Sequence, residues 1–455
     1  MSTQSPPLAL DELERLVSAD EVDTVIVAFT DMQGRLVGKR VSARLFVEEV
    51  AAHGAECCNY LLAVDVENTT IDGYAISGWD RGYGDMAMIP DLETLRLTPW
   101  LPATAMVTAD LQWLDGTPVE ESPRRILGRQ LERLSGMGLA SYAATELEFI
   151  VFDDSYRDAW SRGYRDLTPA SDYNIDYSML ASTRMEPLLR DIRRSMEAAG
   201  MYCEGVKGEC NLGQQEIGFR YADALTTCDN HSVYKNGAKE IADARGKSIT
   251  FMAKFNEREG SSCHVHVSLR ADDGTQIFFD EAEEHGMSKV FRHFVAGQLA
   301  AMQELTLFFA PNINSYKRFV DGSFAPTAVA WGLDNRSCAL RVVGGPSAMR
   351  VENRVPGADV NQYLAVAALL AAGLHGIDNE LELEPPTTGN AYTGDAPRVP
   401  TTLREAADLL ESSAIARAAF GDAVVDHYVH NARTEVRAFD SAITDWERFR
   451  GFERL

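Results

Sequence analysis

Thr145-Glu146-Leu147-Glu148-Phe149 is the stretch whose reading decides this chain. Successive side chains of a strand point to opposite faces, so residues two apart share one. If the stretch is a strand, both carboxylates point the same way. Two like charges side by side raise each other's pKa unless a cation neutralises them. Val151 and Phe152 extend the apolar run, which predicts an internal strand over 143–152. The competing reading is an edge strand with a solvated acidic face. The two are separated by whether similar pairs recur downstream.

Similar pairs do recur. Glu209 and Glu216 flank a Gly-Gln turn, His264 and His266 stand two apart in the alternating run Cys263–Leu269, and Arg354 follows Glu352 at the same spacing. Carboxylates joined by imidazole suit an oxygen-preferring divalent cation, Mg²⁺ or Mn²⁺, more than a structural zinc. Arg318, Arg336, Arg341, Arg350 and Arg354 follow at a density that predicts polyanion binding, because the guanidinium fork matches carboxylate and phosphate. Cations and arginines facing one cavity describe phosphoryl transfer. The chain has no Gly-x-x-x-x-Gly-Lys-[Ser/Thr] loop, which excludes the P-loop class.

The rest of the chain sets the frame. Its 455 residues carry a net charge of −25, which argues against a nucleic-acid or anionic-membrane partner. Seven cysteines without a Cys-x-x-Cys predict free thiols in a reducing cytoplasm. Met1–Leu10 has no basic region followed by an apolar core, and the apolar run Tyr363–Leu374 is too short to span a bilayer, so it reads as a buried helix. Residues 1–116 read as a small sheet-rich unit with strands at Val22–Phe29, Arg35–Val41, Met86–Ile89 and Thr104–Leu114; residues 117–455 mix strands and helices. Ser122-Pro123 opens a helix, with Ser as cap, that ends at Gly136. Further helices are predicted over 184–199, 222–246 and 289–309, a strand over the alternation Ile249, Phe251, Ala253 and Phe255, and a capping box at Thr402 and Glu405.

The motifs, taken together, resemble the glutamine synthetase superfamily in its type I-like form. They are Asp72-Gly-Tyr-Ala-Ile76, Thr145-Glu-Leu-Glu-Phe149, Glu209-Cys-Asn-Leu-Gly-Gln-Gln-Glu216, Cys263-His-Val-His-Val-Ser268, Asn314-Ser-Tyr-Lys-Arg318, Asn335-Arg-Ser-Cys-Ala-Leu-Arg341 and Val351-Glu-Asn-Arg354. The resemblance implies an α+β fold, a small N-terminal β-grasp domain followed by a large catalytic domain with an antiparallel sheet flanked by helices. It implies that Glu148, Glu209 and Glu216 hold one cation, and that Glu146, His264 and Glu352 hold a second beside the nucleotide phosphates. Arg318, Arg354 and Gly260 match the glutamate site. His266, Ser268, Arg336, Arg341 and Arg350 match ATP contacts, with Arg341 also catalytic. Asp72 matches the general base, reaching a neighbouring subunit's site. The family forms stacked rings, usually dodecamers of two hexamers, with sites between protomers.

The chain departs from the ammonia-using pattern at the nitrogen site. Phe324 stands where ammonia users carry a flap Glu, six residues after the Arg matched by Arg318, and Ala75 stands where they carry Ser. Glu259 and Ser262 replace an Asn and a Gly near the glutamate site. A pocket formed by Phe324, Ala75 and Tyr177 is less polar and suits a short organic amine. The wording at Tyr173–Tyr177 and Lys207–Cys210 is similar to the γ-glutamylethanolamide/γ-glutamylpolyamine synthetase branch. The expected activity is therefore ATP-dependent γ-glutamylation of a small amine, ethanolamine first and a polyamine or alkylamine next. The alternatives are an ammonia-using glutamine synthetase and a non-catalytic structural or regulatory ring.

Overall fold

The computed structural model describes residues 8–455; the reading made for Met1–Leu10 lies, up to Pro7, outside the described residues. Six strands build a first sheet: β1 (Thr24–Thr30), β2 (Leu36–Ser42), β3 (Ala55–Cys58), β4 (Asp85–Pro90), β5 (Arg96–Leu97) and β6 (Thr104–Trp113). Their order is β2-β1-β6-β4-β3, with β5 on β6. β1 and β6 are parallel. Nine strands build the second sheet: β7 (Leu139–Phe152), β8 (Cys203–Gly208), β9 (Gln214–Phe219), β10 (Ala222–Asp223), β11 (Ser248–Thr250), β12 (Cys263–Ala271), β13 (Trp331–Leu333), β14 (Leu340–Val343) and β15 (Arg350–Asn353). Here the order is β13-β14-β15-β12-β7-β9-β8, with β10 and β11 also on β7.

β7 sits between β12 and β9, so the edge-strand reading falls. Leu147, Phe149 and Val151 on one face are at most 1% exposed and belong to the core; on the other, Tyr142, Ala144, Glu146 and Glu148 line clefts, and only Ile150 and Phe152 beyond them are buried. Helices Pro123–Gly136 and Ala224–Ala244 pack on β7. Behind them runs Gln362–Asp378, buried along nearly its whole length as its apolar sequence predicts. It lies close against Lys289–Ala301 because Gly297 and Gly376 leave no room for a side chain; a Cβ on Gly297 would stand 2.1 Å from the Ala372 carbonyl oxygen. This layer of helices leaves only the opposite sheet face for a site.

One buried cation ties the two sheets together. Arg124, on the helix Pro123–Gly136, donates to Asp91 (2.6 Å), Asp110 (2.7 Å) and Asp229 (3.0 Å). Asp91 and Asp110 belong to the first sheet's region, and Asp229 to the helix beneath β7. The Tyr363 hydroxyl completes the shell of Asp229 at 2.6 Å. Asn361 adds a second tie, donating to the Asp31 and Met32 carbonyls of the β1–β2 turn.

Several local expectations change. Ser122 precedes its helix, with Pro123 in the first turn, but its side chain makes no cap bond. The helix predicted over 184–199 starts earlier, at Met179, where the Ser178 side chain caps it. The predicted helix 289–309 is two helices, Lys289–Ala301 and Thr306–Phe309. The predicted strand 249–255 pairs only over Ser248–Thr250. Phe251 and Ala253 stay buried and Met252 exposed, so alternation of burial persists where the ladder has ended. The Thr402 side chain accepts from Glu405 N, but the Glu405 carboxylate accepts from Thr401 N, one residue beyond the Thr402 N–H that a capping box uses. All seven cysteines are free. Among the described residues, no helix is long and apolar enough to cross a membrane.

Candidate active site

Strand register assembles the site. Glu146 lies opposite His264 and Glu148 opposite Glu216, while His266 lies opposite Glu352 and Glu352 opposite Arg341. Directly paired residues share a face, so five strands deliver acids, imidazoles and a guanidinium to one surface.

The first cluster is Glu148, Glu209 and Glu216, whose ligand oxygens lie within 4.8 Å of one another. Glu148 is fixed by Ser262 Oγ (2.6 Å), Ser262 N (2.8 Å) and Gln214 Nε2 (2.9 Å). Burial and the Glu146 carboxylate push Glu216 up to about 8. Three acids at this spacing are stable together only with a cation among them. The chain supplies one itself: Lys207 Nζ contacts Glu209 and lies 3.9 Å from Glu216. The donor set is all oxygen, as Mg²⁺ and Mn²⁺ prefer, and it fits a divalent cation.

The second cluster centres on Glu146. His264 Nδ1 stands 3.2 Å from one of its oxygens and 3.5 Å from Glu352; His266 Nε2 donates to the other oxygen at 2.9 Å. Burial pushes Glu146 up, yet the hydrogen bonds from His264 and His266 outweigh it and hold the carboxyl well below the usual range. Arg350 Nε donates to His266 Nδ1 at 3.2 Å, which leaves the His266 proton on Nε2. Glu146, His266 and Glu352 bring their donor atoms within 4.8 Å of one another, and His264, which the sequence named, stands beside the same two carboxylates. Glu352 is fully buried and clamped by Arg341 (2.7 Å) and Arg354 (2.5 Å). Burial raises its pKa, but His264 and Arg354 bring it down to about 2.

Two cavities meet at these carboxylates. One of about 410 Å³ is lined by both clusters and by Gly260, Arg318, Arg336, Arg341 and Arg354. Arg318 is 2% exposed; it donates to the Val355 and Arg354 carbonyls, and burial lowers its pKa to about 10. Phe324 and Tyr177 stand at the rim of this cavity, exposed, with φ of 60° and 53°. Aromatic residues rarely take that backbone, so both loops are over-determined by their surroundings. Arg354 Nη2 donates to the Phe324 carbonyl at 3.3 Å, fixing one of them. The other cavity, about 380 Å³, shares Glu146 and Glu216 and adds His266, Ser268, Arg350, Tyr142 and Tyr221.

Two sequence candidates stand apart. Asp72 and Ala75 are exposed and line neither cavity. Their loop is pinned to the helix Asp422–Ser441, where His430 Nε2 donates to the Asp72 carbonyl (2.9 Å) and the Tyr74 hydroxyl to Asn431 (3.2 Å). Sequence reasoning gave no role to Gln214, Asp176 or Lys207, all of which line the first cavity. Lys207 carried one available signal: it stands two residues before Glu209, the spacing that marks Glu146/Glu148, His264/His266 and Glu352/Arg354.

Sheet and clefts define an α+β enzyme that gathers carboxylates able to hold a cation and sets arginines beside them. Residues 120–450 match the family described as glutamine synthetase, catalytic domain. The chain is 61% identical to gamma-glutamylethanolamide synthetase of Streptomyces coelicolor, covering 100% of this chain and 98% of that one. It is 38% identical to the glutamate–isopropylamine ligase of a Pseudomonas species, covering 95% of each. The solved ADP complex of GmaS superposes with a TM-score of 0.85 at 27% identity, over 97% of this chain and 99% of that one. The chain belongs to the glutamine synthetase family, whose members are ATP-dependent carbon–nitrogen ligases that use divalent metal.

Proposed function

We propose that this enzyme joins the γ-carboxylate of glutamate to a small organic amine, ethanolamine first, through γ-glutamyl phosphate. The carrying observation is Phe324 at the rim of the acidic cavity, where an ammonium-binding member needs an acid. A phenyl ring holds no ammonium ion by charge but packs against carbon. The whole-length likeness to an ethanolamide synthetase supports the same choice.

In this reading glutamate lies against Arg318, Arg354 and Gly260 in the first cavity. ATP enters the second, past His266, Ser268 and Arg350, so that its terminal phosphate arrives between Arg336 and Arg341. A carboxylate is a poor electrophile, and phosphorylation gives it a good leaving group. Mg²⁺ or Mn²⁺ held by Glu148, Glu209 and Glu216, and by Glu146, His264 and Glu352, would add positive charge to the transferring phosphoryl oxygens. Arg341 supplies a fixed guanidinium to the same oxygens. A primary amine with pKa near ~10 is protonated at pH 7, so a base must free its lone pair.

Asp72 is that base in this reading, supplied to the cavity by a neighbouring copy, because it lies outside the cavities of its own chain. Exposed Trp446, Phe449 and Phe452 near the C-terminus favour packing between copies. We read the assembly as a homo-oligomer, two hexameric rings, working in the cytoplasm, and the division into domains as 1–116 and 117–455.

ADP release with glutamate plus ethanolamine, putrescine, spermidine, an alkylamine or ammonia tests the reading. Ethanolamine is expected to give the highest kcat/KM. Ammonia as the best donor overturns it, and ATP binding without turnover on any amine favours a structural ring.

A further inference from the structure

We infer that Lys207 is an exchangeable counter-cation of the Glu148–Glu209–Glu216 cluster, and that a divalent cation enters this cluster by displacing its ammonium. The inference rests on the reading that the cluster holds a divalent cation.

The two clusters neutralise their acids differently. At Glu352 the positive charge is built in: Arg341 is held from the other side by Asp334 (2.9 Å), and Arg354 by the Phe324 carbonyl (3.3 Å). A guanidinium held at both ends does not leave. Glu148, Glu209 and Glu216 have no arginine among their ion-pair partners in the described residues; Lys207 alone bridges two of them. Lys207 lies on β8 in register with Glu216, so the sheet aims its side chain at the cluster. Among the described residues its ammonium has no second anchor beyond the cluster except the Tyr177 ring face, 5.0 Å away. Lysine is a point charge on a flexible four-carbon stem. The ammonium can withdraw toward Tyr177 at the cavity mouth, where a cation–π contact receives it.

The exchange has a consequence in charge. Ionised together, as a bound divalent cation would hold them, the three carboxylates carry −3, and Lys207 offsets one of those charges. A metal ion entering meets a like charge beside Glu209 and has to push it out, so this cluster binds metal more weakly than its acids alone would. Without metal, the same lysine keeps the acids from repelling one another.

Mn²⁺ titration of the full-length protein without substrates, followed by the electron paramagnetic resonance signal of free Mn²⁺, tests this. In Lys207→Met, one of the sites is expected to bind Mn²⁺ at least tenfold tighter than in the wild type, the other changing by less than twofold. Lys207→Arg, which keeps the charge, is expected to follow the wild type. In EDTA, Lys207→Met should melt below the wild type and recover on adding Mg²⁺. Should Lys207→Met fail to fold, Lys207→Gln carries the same expectation. Equal or weaker Mn²⁺ binding by the neutral variants overturns the inference while leaving the cation reading intact. Absence of Mn²⁺ binding in wild type and variants alike sinks both.

Discussion

Glu148 and Glu216 face each other directly across β7 and β9, two carboxylates in register on neighbouring strands. Like charges so placed destabilise a sheet, and burial deepens the cost. The enzyme should therefore be stiffer with metal than without. Glu216→Gln is expected to raise the melting temperature in EDTA, by roughly 0.5–1 kcal/mol of stability, and to lose the further rise on adding Mg²⁺. Thermal denaturation in EDTA and in Mg²⁺ at pH 9, above the value of about 8 to which Glu216 is pushed, where both carboxyls are ionised, checks both. A variant that still gains from Mg²⁺ as the wild type does would place the cation elsewhere.

Ser262 shows how a neighbour aims a ligand. Its hydroxyl and backbone N–H hold the two oxygens of Glu148 at 2.6 and 2.8 Å. Removing such a partner costs roughly 10–100-fold in metal affinity. Ser262→Ala is expected to weaken Mg²⁺ activation by that factor, with the fold retained, because the backbone donor remains. The Mg²⁺ concentration at half-maximal rate is the readout.

Gly260 lets Arg318 reach the cavity. A Cβ there would stand 2.5 Å from the Ala253 carbonyl oxygen and 2.8 Å from Arg318 Cγ. The carbonyl cannot yield cheaply, so either the loop or Arg318 moves. Gly260→Ala is expected to raise KM for glutamate about tenfold, about 1.4 kcal/mol of lost binding, leaving KM for ATP unchanged. Steady-state kinetics with each substrate varied in turn separates the two.

Much of this site could be read along the chain because its residues come in pairs at strand spacing. Alternation told that Glu146 and Glu148 share a face, and likewise His264 and His266. It could not tell which strands are neighbours: the pairing of Glu146 with His264 spans residues far apart in sequence, and register is a tertiary property. Lys207 escaped because a single lysine beside an acid is ordinary, and only the fold shows it between two of them. The break after Ala301 has no Gly or Pro to announce it. Phe251 and Ala253 alternate like a strand because they pack against the core, not because they pair. Pattern reports burial; hydrogen-bond partners have to be found in space.

His427 offers a stability test away from the chemistry. It is buried against Tyr74, and burial lowers its pKa from the ordinary 6.5 to about 3. Its folded form is thus held neutral while the unfolded form takes a proton below 6.5. The stabilisation is complete above that pH and is lost as pH falls toward 3, up to on the order of 4 kcal/mol. His427→Gln cannot titrate, so its urea stability should fall less steeply than that of the wild type between pH 6.5 and 4. Parallel pH profiles would show that His427 is charged in the folded protein.

Phe324 decides the nitrogen donor if the proposed function holds. Its ring stands at the rim of a cavity whose floor is acidic, and its carbonyl is tied to Arg354, so the loop positions whatever side chain it carries. A carboxylate at this place would add a further anion at the rim, drawing in ammonium and crowding out a carbon tail. Phe324→Glu is expected to shift the ratio of kcat/KM for ammonia over ethanolamine at least tenfold toward ammonia, roughly 1.4 kcal/mol of differential stabilisation. Phe324→Ala should lower activity with ethanolamine without raising that with ammonia, since it removes packing and adds no charge. Competition assays with both amines present give the ratio directly. If Phe324→Glu leaves the ratio where the wild type has it, discrimination lies deeper in the cavity, and the ring at 324 is packing alone.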